Sequence, residues 1–190
     1  TTATTSAQRP ASPSPKVHEP MSPPPKGRFD LVRLRPGELI SLDLKKYSVP
    51  VRGGYTHTLI ATDHKSGAAW AYDIKRSTKV ELGAAVTVLR SDWQLHKLGY
   101  SVTFMTDGDG SMVHVRDKAR EFGFDWKPIP VDDQSLSDCE QSIRHIWDAV
   151  KTIMLQNSGR IPITFWPQVL QGYLVHRWYF ATTASRGWIT

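Results

Sequence analysis

The sequence predicts an α/β domain, a mixed five-stranded sheet flanked by helices. Three observations carry this: a close-spaced run of strand-forming segments after Gly37, a switch to helical periodicity near Thr78, and alternation of strand and helix thereafter. Leu39 to Leu44, Thr56 to Ala61 and Ala68 to Ile74 read as three strands, separated by turns at Gly53-Gly54 and Lys65-Ser66-Gly67. Their short connections suggest an antiparallel meander. Thr78-Lys79-Val80-Glu81 matches a capping box, and apolar residues continue at helical spacing through Leu95 and Leu98 until Gly99 can end the helix. Val102 to Thr106 reads as a buried strand, Met112 to Phe122 as a short helix closed by Gly123, and Phe124 to Ile129 as a fifth strand interrupted by Pro128. A polar stretch, residues 131 to 138, reads as a loop before a long helix from about Cys139 to Asn157, which places Glu140 in a first turn. A final helix is expected from a cap at Thr164.

Residues 1 to 27 hold seven of the thirteen prolines and almost no apolar side chains, a composition too poor in burial to offset ordering entropy. They read as a linker or tail, and 28 to 190 as the globular domain. The chain opens on Thr1 without a charged-then-apolar leader, so it reads as a fragment of a longer product with flanking domains elsewhere. No stretch approaches the roughly 18 uninterrupted apolar residues of a membrane span, so no membrane partner is expected and the chain is read as soluble. A net charge of +6 favours an anionic partner without naming it. One cysteine, Cys139, excludes an internal disulfide and reads as a small buried thiol. Seven scattered histidines show no zinc-ligand spacing.

Three carboxylates stand out: Asp43 inside an apolar strand, Asp107 at the end of another, and Glu140 at the head of a helix. A carboxylate in such a strand needs a partner, a metal or a solvent-facing cleft. Each Asp singly reads as a turn or strand-edge residue. Taken together, the three acids suit a hard divalent cation, and a pair of such ions can clamp the attacking and leaving oxygens of a phosphodiester. Arg144 and Lys151 follow Glu140 at i+4 and i+11, so they share a helix face that either meets phosphate or is simply solvated. His57, His64 and His145 read as structural or surface residues. Trp70, Trp126, Trp147 and Trp166 read as core or interface anchors. Asp63 and Asp73 read as turn or strand-edge residues, and Asp92 falls inside a helix.

The run from Gly37 to Ser185 resembles the catalytic core of retroviral and retrotransposon integrases, copia-type elements especially. The resemblance rests on Pro36-Gly37-Glu38-Leu39-Ile40-Ser41-Leu42-Asp43, on Leu59-Ile60-Ala61-Thr62-Asp63, on Thr106-Asp107-Gly108-Asp109-Gly110, on Glu140 through Leu155, and on Pro162 with Trp166. It implies a ribonuclease H-like fold. It further implies Asp43, Asp107 and Glu140 as catalytic metal ligands with two Mg²⁺ or Mn²⁺ ions, and DNA as the partner. The implied reaction transfers a DNA 3′-hydroxyl onto a target phosphodiester, in homo-oligomers acting in the nucleus. The sequence departs from the family at Gly108, where Asn is usual, at Leu136-Ser137, where Asn-Gly is usual, and in a slightly shorter Asp107 to Glu140 interval. Asp109 is an alternative second ligand. These departures motivate a second reading, a degenerate or domesticated integrase fold that binds DNA or protein. A cut-and-paste transposase of the same chemistry is a third.

Overall fold

The computed structural model describes residues 33–49, 51–106, 110–128 and 134–180, excluding the side chains of 134–140 and 178–180. The expected tail, 1–27, and residues 131–133 of the expected loop therefore lie outside the described residues.

Strand β1 (Leu39–Lys46) pairs antiparallel with β2 (His57–Asp63), which pairs antiparallel with β3 (Ala69–Ile74). The expected meander is present. Strand β4 (Thr103–Thr106) then enters parallel to β1, and β5 (Asp125–Pro128) adds parallel to β4, giving the order β3-β2-β1-β4-β5. Pro128 sits on an edge strand, where its missing N–H breaks no inner ladder bond.

Strand alternation divides the side chains between two helical layers. Ile40, Leu42, Leu59, Ala61 and Phe104 pack on one face with Leu82, Ala85, Val86 and Leu89 of α1 (Lys79–Asp92) and with Val115 and Ala119 of α2 (Val113–Glu121). Ile60 and Ala71 pack on the other, against Ile143, Ile146, Val150 and Met154 of α3 (Gln134–Gln156) and Leu170 and Leu174 of α4 (Trp166–Phe180). The α3 spacing of three, four and four residues is a single helical stripe, and each fully buried aliphatic on it contributes about 1.5–3 kcal/mol.

Thr78 caps α1 as expected, its hydroxyl accepting from the Glu81 N–H. The helix does not reach Leu98. It stops at Asp92, Gln94 turns left-handed at φ 50°, and Leu95 to Lys97 form a 3-10 turn that still buries Leu95. A 3-10 turn and an α-helix both return an apolar residue inward every three or four positions, so periodicity did not separate them. Helix α3 starts at Gln134, before the expected Cys139, so 134 to 138 are helical and Glu140 lies in the second turn. The Ser and Asp residues that signalled a loop there are only a weak prior against helix. Thr164 lies in a 3-10 turn (Ile163–Phe165) ahead of α4 and does not cap it.

Asp63 closes β2 and is 2% exposed. Its carboxylate accepts from Ser66 N–H at 2.9 Å and from Gly37 N–H at 3.0 Å, tying the β2–β3 turn to the segment that enters β1. Gly37 adopts φ +80°, and a Cβ there would lie 3.0 Å from Leu98 Cδ1. Asp63→Ala should lower the unfolding free energy by about 2–3 kcal/mol, as one buried and one half-buried N–H lose a charged acceptor. Denaturant melts read this directly, and a loss under about 0.5 kcal/mol, the range of an ordinary surface change, would refute the anchoring role.

On the α3/α4 face, Tyr47 donates its hydroxyl hydrogen to Asp73 Oδ1 at 2.5 Å, and its ring stacks on Trp147 at 5.9 Å. Trp147 in turn meets Trp166 at 5.4 Å, which locks β1, α3 and α4 together. Burial pushes the Asp73 carboxyl up, and the hydrogen bond from Tyr47 partly offsets it. Burial, then the bond to Asp73, pushes the Tyr47 phenol above its ordinary value of 10.0. A folded-state pKa above the unfolded one favours the neutral phenol, so this contribution is complete below pH 10 and is lost as pH rises beyond it. The stability advantage of the wild type over Tyr47→Phe should therefore shrink between pH 8 and pH 11. A gap that stays constant over that interval would refute the linkage.

Candidate functional site

Strand β1 carries Asp43, the first of the three candidate ligands. It is flanked by an antiparallel neighbour and a parallel one, and the β1–β4 register ends with Leu42 opposite Thr106. Asp43 is the next residue of β1, and it sits opposite Ile60 of β2. Facing partners of an antiparallel pair project to the same side. Asp43 therefore projects to the α3/α4 face, where Ile60 meets Ile143 and Ile146.

The Asp43 side chain is 20% exposed, and its Oδ2 lies 2.6 Å from Lys45 Nζ. The two residues are two apart on the strand and so share a face. Sequence reading passed over Lys45, although that spacing from Asp43 was the available signal. Two residues further on the same face is Tyr47, stacked on Trp147. On α3, Arg144 precedes Trp147 by three residues and Lys151 follows it by four, and both are exposed. Positions three and four apart on a helix are neighbours. The Arg144–Trp147–Lys151 stripe thus borders the end of β1 that carries Asp43, Lys45 and Tyr47. Arg144 has other interactions of its own.

Of the other acids, Glu140 belongs to α3, three residues before Ile143, with its side chain outside the described residues. Asp107, Gly108 and Asp109 lie outside them altogether. Among the described residues, no three His, Cys, Asp or Glu side chains gather into a metal site. The one carboxylate in view nevertheless suits a hard cation: it offers oxygen donors and already holds an ammonium ion against Oδ2. Asp43 with Asp107 and Glu140 would be the residues to hold such an ion.

The residues read as structural behave as such. Asp92 ends α1 and accepts from Trp70 Nε1 at 3.0 Å, while Trp126 Nε1 donates to Thr106 Oγ1 at 3.0 Å. Trp147 and Trp166 pack with the α3/α4 cluster. His57 Nδ1 bonds Thr56 Oγ1, and His145 is exposed on α3. His64 Nε2 lies 2.7 Å from Ser41 Oγ, a buried residue on the Asp43 side of β1. The Cys139 side chain lies outside the described residues.

No family model and no curated protein matches this chain. Among solved structures, the chain is similar to the catalytic core domain of BIV integrase in crystal form I. The TM-score is 0.57 and the identity 15%, over 77% of this chain and 86% of that one. A likeness at that identity concerns the fold. The mixed five-stranded sheet with helices on both faces is the ribonuclease H-like fold of an integrase core.

Proposed function

We propose that this chain is the catalytic core of a copia-type LTR retrotransposon integrase, or of a protein derived from one, and that it joins DNA 3′ ends to target DNA. The observation that carries the reading is the position of Asp43. It lies one residue past the last β1–β4 pair, on the face covered by the helix that bears Glu140, in an integrase-core fold. In this reading Asp43, Asp107 and Glu140 hold two Mg²⁺ or Mn²⁺ ions. Such ions, when bound, supply Lewis-acid activation of the attacking hydroxyl and neutralise charge on the leaving oxygen.

The chain's own residues hold and orient the DNA. Arg144 and Lys151 offer cations on the exposed flank of α3, suited to phosphates and silent about base sequence. The rigid Tyr47–Trp147–Trp166 stack fixes that flank against β1, so the phosphate-holding stripe and the Asp43 carboxylate keep a set separation. Assembly into homo-multimers that bring two DNA ends together, and action in the nucleus, belong to the same proposal. The second reading, a DNA-binding or protein-interaction module without turnover, is favoured by one feature: Leu136-Ser137 lie inside α3.

Asp43→Asn and Glu140→Gln should each lower strand transfer by on the order of 100-fold or more, the loss of several kcal/mol of charge stabilisation, with the melting temperature nearly unchanged. A gel assay with a labelled duplex and Mn²⁺ measures this. Undiminished product in either variant would falsify the assignment, and an inactive wild type that also takes up no Mn²⁺ through these acids would favour the binding module.

A further inference from the structure

The ammonium on Asp43 has a consequence for DNA binding. Lys45 Nζ stands 2.6 Å from Asp43 Oδ2, where a divalent ion would be held under the proposed function. The two side chains are 40% and 20% exposed. An ion pair this open to water is worth at most about 1 kcal/mol, and a lysine reaches it on a flexible four-carbon stem as a point charge. A dication carries twice the charge and can take several oxygen ligands at once, so it displaces the ammonium.

Strand geometry limits where the freed ammonium can go. Inward, across β2, its face is closed by Thr58 and Ile60, both fully buried. Along the strand stands Tyr47, fixed by Asp73 and by the Trp147 ring. Among the described residues, the direction left to it is outward, over the border where the exposed Arg144 and Lys151 flank Trp147. A phosphate backbone lying along that stripe would meet a third cation there.

We propose that Lys45 is a DNA-phosphate contact released by cation loading: it occupies Asp43 in the metal-free protein and passes to the DNA backbone once a divalent ion takes the carboxylate. Metal affinity and DNA affinity are then coupled through one side chain, and the coupling acts equally in both directions. The inference rests on the proposed metal role of Asp43 and adds a residue, a substrate contact and a coupling between metal and DNA to it.

The test uses the full chain and a duplex with dideoxy 3′ ends, so that no joining occurs. Fluorescence anisotropy over a NaCl series gives the salt dependence of DNA affinity with and without Mn²⁺, and calorimetry gives Mn²⁺ affinity. On adding Mn²⁺, the log–log slope should steepen by about 0.9 more in the wild type than in Lys45→Met, the signature of one further phosphate contact. Lys45→Met should also bind Mn²⁺ alone more tightly, by up to about fivefold, since no ammonium must leave. Lys45→Gln gives the same comparison if the Met variant folds poorly. An equal Mn²⁺-dependent change of slope in variant and wild type overturns the proposal. Asp43→Asn examines the underlying reading separately. Undiminished Mn²⁺ uptake there removes the metal role of Asp43, whereas lost uptake there with wild-type behaviour in Lys45→Met removes only the role of Lys45.

Discussion

The alternation of β1 is the constraint on which the rest depends. Ile40, Leu42 and Leu44 face the α1/α2 layer, so Leu39, Ser41, Asp43 and Lys45 must face the α3/α4 layer. A slip of one residue would exchange the two sets, sending Asp43 and Lys45 into the packed α1/α2 core and three aliphatics to the other side. Burying an unpaired carboxylate costs several kcal/mol. The apolar set therefore fixes the register, and the register delivers the acid to its face. Asp63 secures the same register from outside the strand by holding Gly37, two residues before β1 begins.

Being central in the sheet has a second effect. With β2 on one side from Ile40 to Lys46 and β4 on the other from Leu39 to Leu42, the first half of β1 is paired on both sides. Strand β4 ends at Thr106, level with Leu42, whereas β1 continues to Lys46. The carboxyl half of β1 is thus supported on the β2 side by the ladder and on the α3 side by the Tyr47–Trp147 stack.

Much of this was legible in the residues. Strand alternation from Leu39 to Leu44, the Gly-bearing turns and the Thr78 cap are local signals, and they located five strands and four helices in the right order. Three helix ends were misplaced, those at Leu98, Cys139 and Thr164, and for the first two the signals were local and the deciding forces were not. Gln94 takes a left-handed turn without being glycine, beside an Asp92 carboxylate tied across to Trp70. The start of α3 at Gln134 overrides Ser and Asp residues that prefer turns in isolation. The site was legible in part. Asp43 drew notice from its apolar neighbours, whereas Lys45 was passed over. The Tyr47–Asp73 bond spans 26 residues and two strands, which no window along the chain can show.

The three aromatic rings hold α3 against the end of β1 without a shared turn or hairpin. Tyr47, Trp147 and Trp166 come from a strand end and two helices, and offset or tilted aromatic pairs each add about 0.5–1.5 kcal/mol beyond area burial. Arg52 extends this anchorage: its N–H donates to Thr164 O at 2.6 Å, and its guanidinium lies 4.9 Å from the centre of the Phe165 ring. The β1–β2 loop thereby grips the entry to α4, and α4 grips α3. A helix held at its middle by Trp147 and along its buried stripe by Ile143, Ile146 and Val150 has little freedom to slide or roll. The backbone that carries Arg144 and Lys151 is thereby set relative to β1, whereas a loop would lose that setting to conformational entropy.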